Sequence, residues 1–109
     1  MPVAYKVLGQ ANPAATTATT LYTAPGATSA VISTINVCNQ AASSATFRIA
    51  VRPAGATLAA AHYLAYDVTI AANDSIALTL GITLAATDVV TVYASSATMS
   101  FAAFGTELS

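Results

Sequence analysis

Charge is what this sequence has least of. Three basic and four acidic side chains are spread over 109 residues, 6% of the chain against roughly 25% in an ordinary soluble domain. A net charge of −1 with three scattered cations excludes an electrostatic nucleic-acid binder, which needs clustered Lys and Arg to neutralise phosphates. Tryptophan is absent, and the chain has one histidine and one cysteine. Cys38 has no partner for an internal disulfide, which agrees with assembly in a reducing cytoplasm or with indifference to redox state, and it reads as a small buried hydrophobe. No spanning helix is expected. The uncharged interval between Lys6 and Arg48 is broken by Pro13, Pro25, Gly26, Asn36, Asn39, Gln40 and many threonines. The start, Met1 to Lys6, lacks the basic and then apolar segments of a secretory signal, so no export is expected.

These shortages limit the chemistry. A Ser-His-Asp triad needs a base beside its nucleophile, and only His62 is on offer, with no Gly-x-Ser-x-Gly elbow. His62 reads as a loop or strand-end residue that hydrogen-bonds locally. One Cys and one His fall short of a zinc set. Asp67, Asp74, Asp88 and Glu107 are the whole supply of carboxylates for glycoside cleavage, and no Asp-rich loop spacing supports calcium. Asp74 and Asp88 stand where strands should start and read as turn residues. Asp67, inside a predicted strand, must face water or find a partner among Lys6, Arg48 and Arg52. The expectation is no catalytic residue, no cofactor and no metal.

What the chain does have is small and apolar. Hydrophobic residues make up 56%, which excludes disorder, and 27 Ala, 16 Thr and 9 Ser supply a surface that repels its copies weakly. Period-two alternation is clearest where Phe47, Ile49 and Val51 oppose Thr46, Arg48, Ala50 and Arg52. It recurs in Ile76, Leu78 and Leu80, in Leu64, Tyr66, Val68 and Ile70, and in Val31, Ile35 and Val37 against Ser33 and Asn39. Branched and aromatic side chains at these positions favour strands. About eight are predicted, over 4–10, 19–24, 29–39, 46–52, 62–70, 75–84, 89–94 and 98–104. Pro25-Gly26 suits a type II turn and Pro53-Ala54-Gly55 a type I turn, and Asn73-Asp74 and Ala41 to Ser44 also punctuate the strands as turns. Gly81 reads as a bend, 11–20 as a loop, and 58–61 as room for one short helical turn. Short strands with regular turn signals make this one domain over 1–109, an all-β, antiparallel two-sheet sandwich of jelly-roll or immunoglobulin-like kind.

Arg48 and Arg52 share strand parity and project from one face. They read either as a solvated pair guarding an edge strand or as forks onto the carboxylates of a partner chain. Met99 and Phe101 read as core, and Phe104 as core or contact.

The chain resembles small β-sandwich proteins encoded among the virion genes of tailed bacteriophages. The resemblance lies in Leu21-Tyr22-Thr23 with Pro25-Gly26, in 33–39 (Ser-Thr-Ile-Asn-Val-Cys-Asn), in 47–55 (Phe-Arg-Ile-Ala-Val-Arg-Pro-Ala-Gly), and in 62–67 (His-Tyr-Leu-Ala-Tyr-Asp). It continues through 72–74, 78–84, 88–90, 92–95, 100–101 and 104–105. These are strand and turn motifs without an active-site signature. The resemblance implies a part of the virion without fixing which; with the surface of small, nearly uncharged side chains it makes the expectation a decoration or cement protein on the outer capsid surface, assembled in the host cytoplasm, homotrimeric, and bound to the major capsid protein or other virion proteins. Neither nucleic acid nor membrane is an expected partner. In that setting Tyr22, Tyr63, Tyr66 and Tyr93, with Arg48 and Arg52, are the candidate interface residues, since interfaces favour Tyr and Arg. The alternatives are a tail, baseplate or fibre-associated module that touches the host, a carbohydrate-binding sandwich, and an enzyme such as a depolymerase.

Overall fold

The computed structural model describes residues 3–79 and 81–109. Nine strands follow in order: β1 (Val3–Ala11), β2 (Thr19–Thr23), β3 (Ser29–Asn39), β4 (Ala45–Arg52), β5 (Tyr63–Ile70), β6 (Ser75–Leu78), β7 (Ile82–Leu84), β8 (Val89–Ala94) and β9 (Met99–Leu108). They form two antiparallel sheets. One runs β1-β9-β3, with β6 and β7 both paired to the far side of β3, and the other runs β2-β8-β4-β5. The expected eight strands become nine because the predicted strand over 75–84 breaks before Gly81, whose φ of +63° turns the chain. The predicted face position Leu80 lies outside the described residues.

The pairings nest. β4 pairs β5, β3 pairs β6 and β7, β2 pairs β8, and β1 pairs β9, so the chain is one long antiparallel ribbon folded at its middle and rolled into two layers. That order is a jelly roll, which selects between the two sandwiches expected from sequence.

The core lies between the sheets. Leu21, Ile32, Ile35, Val37, Phe47, Ile49, Ile70, Leu84, Val90, Val92, Met99 and Phe101 fill it. Phe47 and Phe101 meet edge to face at 6.1 Å and 73°, a geometry worth about 0.5–1.5 kcal/mol beyond burial. The alternation in β4 holds, except that Ala50 is buried as well. In β3 a register shift between Ile32 and Thr34 reverses parity, so Ala30 and Ile32 point inward before it, and Ile35, Val37 and Asn39 after it. Ser33, at the shift, is exposed and donates to the Phe104 carbonyl at 3.1 Å. The face expected in β5 holds at one end only. Ile70 is in the core and Val68, at the sheet edge, pairs with the inward Phe47, whereas Leu64 and Tyr66 are exposed because register shifts interrupt the pairing with β4 on their side.

Other expectations also change. β4 lies between β8 and β5, so Arg48 and Arg52 do not guard an edge. The last strand runs on past 104 to Leu108, with β1 on one side and β3 on the other. Cys38 is half-buried, since Asn36 and Cys38 alternate with the inward Val37 and Asn39. The turn after β2 is displaced by one residue. Thr28 N–H donates to the Pro25 carbonyl at 3.2 Å, and the positive φ falls on Ala27. After β4, Ala56 N–H donates to the Pro53 carbonyl at 3.0 Å, and both central residues, Ala54 and Gly55, have positive φ, as a type I turn does not. The short helical turn is a 3₁₀ turn at Ala60–His62.

Each end of the sandwich is tied by one polar side chain. Asn39 is fully buried; its Nδ2 donates to the carbonyls of Ser43 (2.9 Å), Ala71 (3.2 Å) and Ile70 (3.4 Å), and its Oδ1 accepts from Ala41 N–H (3.1 Å) and Thr98 Oγ1 (3.4 Å). Three loops meet on it. At the other end Asp88 accepts Ala54 N–H and Ala85 N–H, each at 2.9 Å, while its carbonyl accepts Ala24 N–H. Asn39→Leu leaves buried backbone groups without partners, and the expected loss is about 2–4 kcal/mol. Thermal unfolding should show a midpoint about 10 °C or more lower than wild type.

Candidate aromatic docking face

A β-bulge in β5 builds the site. Phe47 pairs with Val68 and Ile49 with Ala65, so two residues, Tyr66 and Asp67, oppose the single Arg48. Asp67 accommodates the extra residue with a φ of +51°, a conformation that Asp tolerates better than most. Both side chains therefore reach the outer face on which Arg48 stands. On the opposite flank β8 places Tyr93 directly across from Arg48.

The Arg48 guanidinium lies over two tyrosine rings, one from each neighbouring strand, 4.2 Å from the Tyr66 centroid and 4.3 Å from that of Tyr93. Its Nε and Nη2 donate to Asp67 Oδ1 and Oδ2 at 2.7 and 3.2 Å, a two-pronged pairing that fixes the plane of the group. The hydrogen bond from Arg48 holds the Asp67 carboxyl below its usual range. Tyr63 extends the layer, meeting Tyr66 edge to face at 4.9 Å. Beside them an open recess of about 500 Å³ is lined by Leu58, Ala59, Ala60, Tyr63 and Tyr66.

Four of the six residues singled out in the sequence thus come together: Arg48, Tyr63, Tyr66 and Tyr93. Arg52 stands on the same face but is engaged elsewhere, with Nε on Thr91 Oγ1 (3.0 Å) and Nη1 on the Ala56 carbonyl (3.1 Å). The forks expected to reach a partner chain are occupied within this one. Tyr22 is not on the face. It is buried, and its hydroxyl crosses to the other sheet to donate to Glu107 Oε2 at 2.5 Å. Burial, and then that hydrogen bond, raise its phenol well above the ordinary value. Of the three partners that the sequence offers Asp67 (Lys6, Arg48 and Arg52), the structure supplies Arg48, through a bulge that has no signature in the spacing.

The remaining polar groups serve local structure. Asp74 Oδ1 accepts Ser75 N–H at 2.8 Å, and His62 Nδ1 accepts Ala59 N–H at 3.1 Å. Among the described residues no three His, Cys, Asp or Glu side chains group to hold a metal ion, and no helix is long and apolar enough to cross a membrane. What the face can do chemically is present two fixed hydroxyphenyl rings, a third beside them and a clamped guanidinium to a facing surface. No family model matches the sequence, and neither a curated protein nor a solved structure matches the chain.

Glu107 couples the sheets in a way that pH reveals. Lys6 Nζ lies 2.7 Å from its Oε1, and this contact first, then the Tyr22 hydroxyl, holds the carboxyl below its ordinary value of 4.5. A carboxylate whose pKa is depressed on folding contributes stability that is complete above its unfolded value and is lost as pH falls through the folded one. The thermal midpoint should therefore hold steady from pH 7 to about 5 and decline below the ordinary glutamate range. Glu107→Gln should be less stable at neutral pH, and its difference from wild type should shrink as the solution is acidified.

Proposed function

We propose that this chain is a non-catalytic structural protein of a bacteriophage particle. It acts as a decoration or cement protein that binds the major capsid protein and stabilises the shell from its outer surface. The observation that carries this reading is the outer face of the β2-β8-β4-β5 sheet, where Arg48, Tyr63, Tyr66 and Tyr93 are held in place by one another and by Asp67. Tyr and Arg are the residue types that dominate binding energy in protein interfaces. Side chains already fixed lose little further freedom when covered, so more of the contact energy reaches the affinity. The surrounding Ala, Ser and Thr cost little side-chain entropy on burial. Jelly rolls occur in capsid and lectin domains alike, so the fold is compatible with the role without dictating it. Three copies about a local axis is the assembly that the resemblance implies.

A second reading places the chain in the tail, baseplate or fibre, touching the host. The recess beside Tyr63 and Tyr66 favours it, as a place for a group that a flat face would not hold.

Quantitative mass spectrometry of particles from the phage that encodes the chain should count it in hundreds of copies. A small multiple of three or six would move it to the tail, and absence from the particle would refute both addresses. Tyr66 is 58% exposed and touches Arg48 and Tyr63 on the outer face, so Tyr66→Ala should keep the fold and lower the thermal midpoint by only about 5 °C. The same variant should weaken attachment to shells by about ten- to thirtyfold. Equal occupancy of shells by variant and wild type would contradict this choice of face.

A further inference from the structure

The geometry points to a second interaction surface, on the other sheet: the first half of β1 pairs with the same strand of a second copy of this chain, antiparallel and across a two-fold axis at Tyr5.

β1 is an edge strand, with β9 on one side, and among the described residues no further backbone hydrogen bond involves residues 3–8. An unpaired edge is a template for another strand, and proteins usually blunt it with short length, bulges, prolines or a free lysine. The other three edges are blunted. β6 and β7 are four and three residues long, β5 is broken by register shifts, and β2 has a shift between Thr20 and Tyr22. β2 is also approached so closely by β1 that a Cβ on Gly9 would overlap the Leu21 carbonyl. Residues Val3 to Val7 have none of these guards, since their register against β9 is continuous from Leu108 to Phe104. Lys6 is the one charge there, and its ammonium is folded onto Glu107 at 2.7 Å. Two such edges therefore meet without repulsion between charges.

The outward row is self-complementary. Val3, Tyr5 and Val7 read the same in both directions, as an isologous contact requires, so pairing Tyr5 with its copy sets Val3 against Val7 in both halves. All three are exposed, Tyr5 at 83%, and Phe104 lies beside Val7 on β9. A fully covered tyrosine buries about 150–250 Å². Edge pairing covers one flank of Tyr5 and of the two half-exposed valines on each copy, so the contact buries a few hundred Å² in all, below the roughly 1,000 Å² of a stable interface, and is held largely by the backbone ladder as a weak, reversible pairing. It also closes on itself. Once the two β1 edges meet, the far edges of the combined sheet are the short β6 and β7 strands, and growth stops.

The contact is independent of the aromatic face and of any three-fold assembly, because it joins chains only in pairs. Sedimentation equilibrium on the full chain at rising concentration should approach twice the mass of whatever Tyr5→Lys forms, and Tyr5→Lys should weaken self-association by about tenfold or more with its thermal midpoint kept. Tyr66→Lys, on the opposite sheet, should associate like wild type. In a Cys38→Ser background, a short thiol crosslinker should join Tyr5→Cys to its copy. It should join Val3→Cys to Val7→Cys in a mixture of the two variants in preference to Val3→Cys with itself. A wild-type mass that Tyr5→Lys does not halve, or crosslinking without this register, overturns the inference.

Discussion

All seven charged side chains of this protein have partners inside the chain. Lys6 and Glu107 pair, Arg48 and Asp67 pair, Arg52 holds Thr91 and the turn after β4, Asp74 caps the start of β6, and Asp88 holds two turns. Seven groups serving 5273 Å² of surface leave solvation and recognition to hydroxyls, backbone and aromatic rings. The architecture follows from the same economy. A ribbon of nested antiparallel pairs satisfies its backbone by pairing, so polar side chains are needed mainly where the ribbon turns, and Asn39 and Asp88 take those places at opposite ends.

How far the sequence foretold this depends on where the pairing is regular. β4 was legible because Phe47 and Ile49 alternate with Arg48 against partners in steady register on β8. Met99 and Phe101 were legible as core for the same reason. Bulges hid the rest. One extra residue reverses every side chain beyond it, so Ser33 splits β3 into two parities, and the bulge at Tyr66 and Asp67 puts Leu64 and Tyr66 on the outside while Val68 and Ile70 keep the core side. No local composition announces such a residue when it is neither glycine nor proline. The turns misled in a related way, since Ala27 and Ala54 carry positive φ where Gly26 and Pro53 drew attention.

The candidate site was half visible on the same grounds. Arg48, Tyr63, Tyr66 and Tyr93 stood out as scarce or anchor-type residues, and folding gathers them. Tyr22 was of the same type, yet it faces inward from β2, where its hydroxyl could be kept only by reaching Glu107 across the sandwich. The irregularity that blurred the sequence pattern is also what makes the face. Without the extra residue, Tyr66 and Asp67 would point to opposite sides of the sheet, and Arg48 would lose either a ring or its carboxylate. A bulge that costs regular pairing at an edge strand thus yields a rigid cluster on the outer face of the β2-β8-β4-β5 sheet.

The clamp on Arg48 is the most direct point at which to test this account. NMR of the isolated chain, with the arginine side chains observed through Nε–H, should give Arg48 a resolved signal moved upfield by the Tyr66 and Tyr93 rings. That signal should exchange slowly with water and keep its position as salt is raised. An Arg48 signal at the random-coil position, exchanging as fast as a free guanidinium, would contradict it.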